Sequence, residues 1–297
     1  VNDSSGDPVI QQLIAWAESW PSIRALILTS TRTSPRAVLD LFSDYDVLVA
    51  VTDIAPFLAD ESWLDLFGSV LVLYRDPIGL DHGVERFARI TQYEDGLKID
   101  FTIFPAELVR RIAAEPDLPP YLDVGYRILV DKDGLTEGLA PATYQSFVPS
   151  PPTEAEYRTV VEEFFHEATY VAKHLWRDDL LPAKYNLDHM MKHNLLRRML
   201  EWRMEIDYGW SVKTGAYGKG LKKRTDPEIW AALEATYVGA GLDENWQALF
   251  GTIELFRRVA RKVGQALGYG YPADLDRRAV AYFLKVQRLN RDATSLD

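Results

Sequence analysis

Ser43-Asp44-Tyr45-Asp46-Val47-Leu48-Val49-Ala50-Val51 is the stretch from which the rest of the chain can be read. From Tyr45 onward it is an apolar, β-branched run, so it reads as a strand, Tyr45–Val51. Side chains alternate across a strand, which places the Asp44 and Asp46 carboxylates on one face at its mouth. Two adjacent carboxylates repel unless a cation neutralises them, and Mg²⁺ with its oxygen ligands suits the pair. The same spacing also occurs where an aspartate merely caps a turn, so it does not decide the matter alone. A third carboxylate, Asp100, lies in Leu97-Lys98-Ile99-Asp100-Phe101-Thr102-Ile103-Phe104. There Lys98, Asp100 and Thr102 share one face and the apolar residues the other. If the two strands are neighbours, three carboxylates converge, as two-metal phosphoryl transfer requires.

Working outward, residues 8–20 carry helical periodicity that Pro21 ends. Ile23–Leu28 reads as a buried strand, 29–36 as a polar loop, and 38–42 as a short apolar segment. Further strands are expected at 70–74, 86–93, 98–104 and 126–131, with a helix at 106–115. Glu94-Asp95-Gly96 marks a hairpin, since Asp-Gly supplies the positive φ angles of a tight turn. Residues 141–153 contain three prolines within four positions, which neither a helix nor a central strand can continue. Thr153 and Glu156 then form a capping box. Beyond it strand signals nearly vanish, and helices are expected at 154–177, 186–206, 226–239, 243–267 and 274–290. The fold class is therefore α+β, with a mixed-sheet domain over 1–145 and a helical domain over 146–297.

The 297 residues are 47% hydrophobic and 26% charged, a mix that can bury a core. Cysteine is absent, which excludes disulfides and thiolate metal sites. No apolar run approaches the roughly 20 residues that span a bilayer, and the polar, acidic segment 1–8 does not read as a secretory signal. A cytoplasmic location is expected. The net charge of −11 argues against a nucleic-acid partner and is better matched to a cationic ligand. Oligomeric state, monomer or homodimer, is left open by the sequence.

The text around the paired aspartates adds a further signal. I-L-T-S-T-R-T-S (27–34) followed by L-F-S-D-Y-D-V-L-V-A-V-T-D (41–53) resembles the aminoglycoside 6-adenylyltransferases, the streptomycin-modifying branch of the polymerase-β-like nucleotidyltransferases. Similar segments recur at W-L-D-L-F-G (63–68), Y-E-D-G-L-K-I-D-F-T-I-F-P (93–105), L-V-D-K-D-G (129–134) and T-Y-V-A-K-H-L-W-R-D-D-L-L-P-A (169–183). Others are G-W-S-V (209–212), G-K-G-L-K-K (218–223), E-L-F-R-R-V (254–259) and Y-G-Y-P (269–272), so the resemblance spans nearly the whole chain. It implies a nucleotidyltransferase domain followed by a helical domain that closes a nucleotide and substrate cleft. It further implies ATP as co-substrate, two Mg²⁺ ions on Asp44, Asp46 and Asp100, and AMP transfer to an aminoglycoside hydroxyl that confers antibiotic resistance. Asp100 would be metal ligand or general base, with Glu94 and Glu167 as other bases. The family's glycine-serine pair falls at Ser30 and Thr31, and only Arg32 matches directly. Glycine allows a phosphate close to the backbone where Ser30 carries a Cβ, so an altered nucleotide affinity is expected. Ala216 also stands where the family has lysine.

Candidate nucleotide ligands are Ser30, Thr31, Arg32, Tyr170, Lys173, Arg177 and Lys219. Lys173 and Arg177 lie four apart on a helix, a point charge and a fork beside the Tyr170 ring; a merely solvated face would show the same pattern. The basic loop 213–224 lacks P-loop spacing and reads equally as a surface loop. Glu94 and Asp95 are candidates for meeting cationic groups of the substrate, the plainer reading being an ordinary turn. His189 and His193, four apart, lack the glutamate of a zinc helix. The alternatives are another small-molecule or protein acceptor for the same chemistry, or a nucleotide-binding sensor without turnover.

Overall fold

The structure is a computed structural model that describes residues 6–35, 37–212 and 215–296. The chain divides into two compact units, Val1–Phe147 and Val148–Asp297. The division falls in the proline-rich stretch, where neither helix nor ladder can continue.

In the first unit the elements run α1 Pro8–Ser19, β1 Ile23–Thr29, β2 Tyr45–Val51, α2 Ala55–Ala59, β3 Val70–Arg75, β4 Gly79–Asp81, β5 Val84–Tyr93, β6 Lys98–Pro105, α3 Ala106–Ala113, α4 Pro120–Asp123 and β7 Tyr126–Asp131. The sheet order is β3-β5-β6-β2-β1-β7, with β4 paired to β5. Among the described residues only the β2–β6 pairing is parallel, and the remaining pairs are antiparallel, so the sheet is mixed. The central strands β1 and β2 are buried almost throughout, which is why they read as continuous apolar runs rather than alternating ones. Strand β6 does alternate, its apolar face packing Ile99, Phe101 and Ile103 into the core and its polar face carrying Lys98, Asp100 and Thr102. One face of the sheet packs on α1 and the aromatic cluster Trp16, Trp63, Phe67 and Phe101. The other packs on α3 through Leu108, Val109 and Ile112. Asp7 caps α1, accepting from the Val9 and Ile10 amides.

The second unit contains α5 Glu154–Arg177, α6 Leu180–Lys184, a π-helix Tyr185–Leu196, α7 Arg197–Tyr208, α8 Pro227–Glu234, α9 Leu242–Leu267 and α10 Ala273–Arg288. The Thr153–Glu156 capping box opens α5 as expected. Phe164 and Phe256 stack at 3.7 Å where α5 and α9 meet. Two of the expected helices differ. The segment expected over 186–206 starts earlier and takes π geometry over Tyr185–Leu196. Its buried residues are Leu187, Met191, Lys192, Leu195 and Leu196. The helix expected over 226–239 ends at Glu234. Beyond it, the buried Lys192 Nζ donates to the Thr236 carbonyl and Lys184 Nζ to the Val238 carbonyl at 2.9 Å. Lysines thus satisfy carbonyls that a longer helix would have bonded itself. Among the described residues no helix is long and apolar enough to cross a membrane.

Candidate active site

Strands β2 and β6 run parallel and adjacent, and their register sets Asp46 directly beside Asp100. On the other side of β2, Thr29 of β1 is the partner of Asp46. Asp44 precedes β2 and shares the Asp46 face, while Tyr45 between them turns into the core. One oxygen from each of Asp44, Asp46 and Asp100 lies within 4.8 Å of the others. The convergence expected from the two strand readings is thus present in the structure.

The mouth of β2 is held by Arg32. Its Nε donates to the Asp44 carbonyl at 2.9 Å and its Nη2 to the Ser43 carbonyl at 2.8 Å. Its guanidinium lies 3.5 Å from the centre of the Tyr45 ring and 3.5 Å from Asp7 Oδ2. Tyr45 in turn donates its hydroxyl to Asp7. The guanidinium is therefore engaged in fixing the loop that delivers Asp44. Asp40 closes that loop by accepting from the Phe42 amide at 3.0 Å and the Ser43 hydroxyl at 3.2 Å. The side chains of Val38, Leu41 and Phe42 are exposed, so this apolar segment forms no part of the core.

Ser30 opens a short 3₁₀ turn, Ser30–Thr33, at the end of β1. Its φ is +65°, the left-handed conformation that glycine adopts without strain. Serine here keeps the glycine backbone shape, and its hydroxyl favours the charged form of the Asp46 carboxylate. Thr31 follows within the turn, half-buried.

Lys98 is the counter-charge. Its Nζ donates to Asp44 Oδ2 at 2.9 Å and to Asp100 Oδ2 at 2.7 Å. Burial alone would depress the Lys98 ammonium, but these hydrogen bonds outweigh it and hold its pKa above that of ordinary lysine. One ammonium cannot balance three carboxylates. Burial first, then repulsion from Asp44 and Asp100, pushes Asp46 up to about 6, partly offset by Ser30 and Lys98. Burial also raises Asp100, against the pull of Lys98. Asp100 Oδ1 is buried and accepts no hydrogen bond from the described residues. An oxygen-only donor set with surplus negative charge and an orphaned carboxylate oxygen fits a hard divalent cation.

Glu94 and Asp95 are not among the three converging carboxylates. Glu94 and Asp95 are exposed on the β5–β6 hairpin, where Asp95 accepts from the Leu97 amide at 2.9 Å and Gly96 takes φ +93°. In the helical unit, Lys173 Nζ sits 4.1 Å from the centre of the Tyr170 ring, one turn before it on α5. Arg177 is the last residue of α5 and is exposed. Burial raises the pKa of Glu167 on the same helix. Lys219 is exposed between two short turns, Ala216–Gly218 and Leu221–Lys223. Lys213 and Thr214 of that basic loop lie outside the described residues. His189 and His193 stack ring on ring at 5.8 Å, in a row with Tyr185 and Tyr217. Sequence reasoning set Lys98 on the Asp100 face but did not assign it a partner, and it overlooked Asp7, whose distance from Asp44 along the chain conceals their common link through Arg32.

Comparison with known proteins places these features in context. The family model described as streptomycin adenylyltransferase matches residues 5–286. An aminoglycoside 6-adenylyltransferase of Bacillus subtilis is 30% identical over 266 residues, 88% of this chain and 90% of that protein. One from Campylobacter jejuni is 29% identical over 262 residues, 88% of each. A crystal structure of an aminoglycoside 6-adenyltransferase from Bacillus subtilis aligns over 96% of this chain and 99% of its own, at 26% identity and a TM-score of 0.47.

Proposed function

The chain belongs to the streptomycin adenylyltransferase family, and we propose that it transfers AMP from ATP to a hydroxyl of an aminoglycoside, streptomycin being the favoured acceptor and antibiotic resistance the consequence. The observation that carries this reading is the convergence of Asp44, Asp46 and Asp100. These three residues would hold two Mg²⁺ ions, which when bound neutralise charge on the triphosphate and on the leaving pyrophosphate.

The acceptor oxygen attacks the α-phosphorus in line. The bond from that phosphorus to the bridging oxygen breaks, and pyrophosphate leaves with the electron pair. The hydroxyl proton passes to a carboxylate. Asp100 offers one oxygen to the cation cluster, and its other oxygen is the proposed proton acceptor. The turn bearing Ser30 and Thr31 offers hydroxyls and backbone amides to the triphosphate, and Arg32 positions Asp44. Tyr170, Lys173, Arg177 and Lys219 are the proposed nucleotide ligands from the helical domain. Glu94 and Asp95 are proposed to meet cationic groups of the aminoglycoside. A net charge of −11 raises the local concentration of such a substrate and suits a cytoplasmic protein without a nucleic-acid partner.

The test is pyrophosphate release from ATP and Mg²⁺, with and without streptomycin, for wild type and Asp46→Ala. Release that requires both streptomycin and Asp46 is the expected result. Release only with a different acceptor would move the substrate assignment, and none with any acceptor would refute the enzymatic reading.

A further inference from the structure

We infer that Lys98 is an exchangeable counter-ion of the carboxylate triad, which a divalent cation must displace in order to take Asp44 and Asp100. This rests on the metal-dependent reading above. The Lys98 ammonium bridges Asp44 Oδ2 and Asp100 Oδ2 at 2.9 and 2.7 Å, so it holds one oxygen of each of two proposed metal ligands. No hydrogen bond joins it to Asp46 among the described residues. Lys98 also lies two positions before Asp100 on β6, on the same face, so the strand itself fixes the origin of its side chain.

A divalent ion ligates carboxylate oxygen at about 2.1 Å. An ion on the same oxygens would stand within roughly 5 Å of an ammonium that stayed in place, and like charges at that separation disfavour each other. The Lys98 side chain is 32% exposed and sits on a four-carbon stem, so it can swing away without moving the strand. With the lysine in place the triad carries two net negative charges; with it released, three. Release thus prepares the site for a pair of divalent ions, and it frees a phosphate-binding ammonium at the site's rim.

The experiment measures Mn²⁺ binding to the full chain by the resonance signal of free Mn²⁺, without nucleotide or aminoglycoside. Wild type, Lys98→Gln and Asp46→Asn are compared. Lys98→Gln is expected to bind Mn²⁺ at least about tenfold more tightly than wild type, and Asp46→Asn to lose binding. A second measurement needs no Lys98 variant to fold: the acetylation rate of Lys98 in wild type, followed by mass spectrometry, should rise when Mn²⁺ is added. Equal or weaker Mn²⁺ affinity in folded Lys98→Gln, or an acetylation rate that Asp46-dependent Mn²⁺ binding leaves unchanged, would overturn the inference. If neither wild type nor folded Lys98→Gln binds Mn²⁺, the metal-dependent reading fails first, and the inference fails with it.

Discussion

Replacing Asp46 by asparagine should make the metal-free protein more stable while abolishing its activity. Asp46 has a folded-state pKa of about 6, against about 3.9 for an ordinary aspartate. Its folded state therefore holds the proton more tightly than the unfolded state does. Below pH 4 both states are protonated and Asp46 contributes no penalty. As pH rises from about 4 to about 6 the unfolded chain ionises first, and folding stability falls. Above pH 6 the penalty is complete. At about 1.4 kcal/mol per pKa unit it amounts to about 3 kcal/mol. Asparagine removes the charge and keeps an oxygen for the Ser30 hydroxyl, so the gain at pH 8 should be about 1–3 kcal/mol. The assay is urea unfolding of wild type and Asp46→Asn in EDTA from pH 4.5 to 8, with hydrogen exchange of the β2 and β6 amides reporting on the first unit specifically. The stability gap should widen as pH rises from about 4 to about 6 and level off above it. A gap that is independent of pH, or an asparagine variant less stable than wild type at pH 8, would refute the electrostatic account.

Two further substitutions probe the frame around the triad. Arg32→Ala removes the bonds to the Ser43 and Asp44 carbonyls and the contact with Tyr45; kcat/KM should fall by about 100-fold or more from misplaced Asp44, with about 2–3 kcal/mol of stability lost in thermal melts, and Arg32→Lys should restore only part of either. Ser30→Gly removes a left-handed strain of about 1–2 kcal/mol but also the hydroxyl on Asp46, so net stability should change by less than about 1 kcal/mol while KM for ATP falls; a tenfold loss of turnover would show instead that the hydroxyl itself is needed.

Much of the site could be read before the structure because it depends on period-two geometry. Asp44 and Asp46 share a face in any extended strand, and so do Lys98, Asp100 and Thr102. The strand at Tyr45–Val51, the hairpin at Glu94–Gly96 and the capping box at Thr153 are local features set by a few adjacent residues, and all three are present. The helices that differ are those whose ends depend on distant partners. The residues following Glu234 leave the helix where Lys184 and Lys192 reach their carbonyls, across more than 40 positions of chain. The π geometry of 185–196 could not be read from the apolar pattern, because α5 buries Val160, Phe164, Ala168 and Ala172 at the same four-residue spacing as Leu187, Met191 and Leu195.

The sequence by itself determined the chemistry available: which residues carry charge, which face of each strand they occupy, and where the chain changes from sheet to helix. Those follow from backbone periodicity and from proline, and require no knowledge of neighbours. Only the tertiary structure decided that β2 and β6 are adjacent, parallel and in a register that sets Asp46 beside Asp100. It also decided that Lys98 spans two of the three carboxylates, that Arg32 serves the loop holding Asp44, and that Ser30 takes the glycine conformation. Each of these is a relation between segments far apart in the chain or a backbone angle set by packing. A shift of one residue in the β2–β6 register would turn Asp100 to the opposite face and dissolve the site without changing a single amino acid.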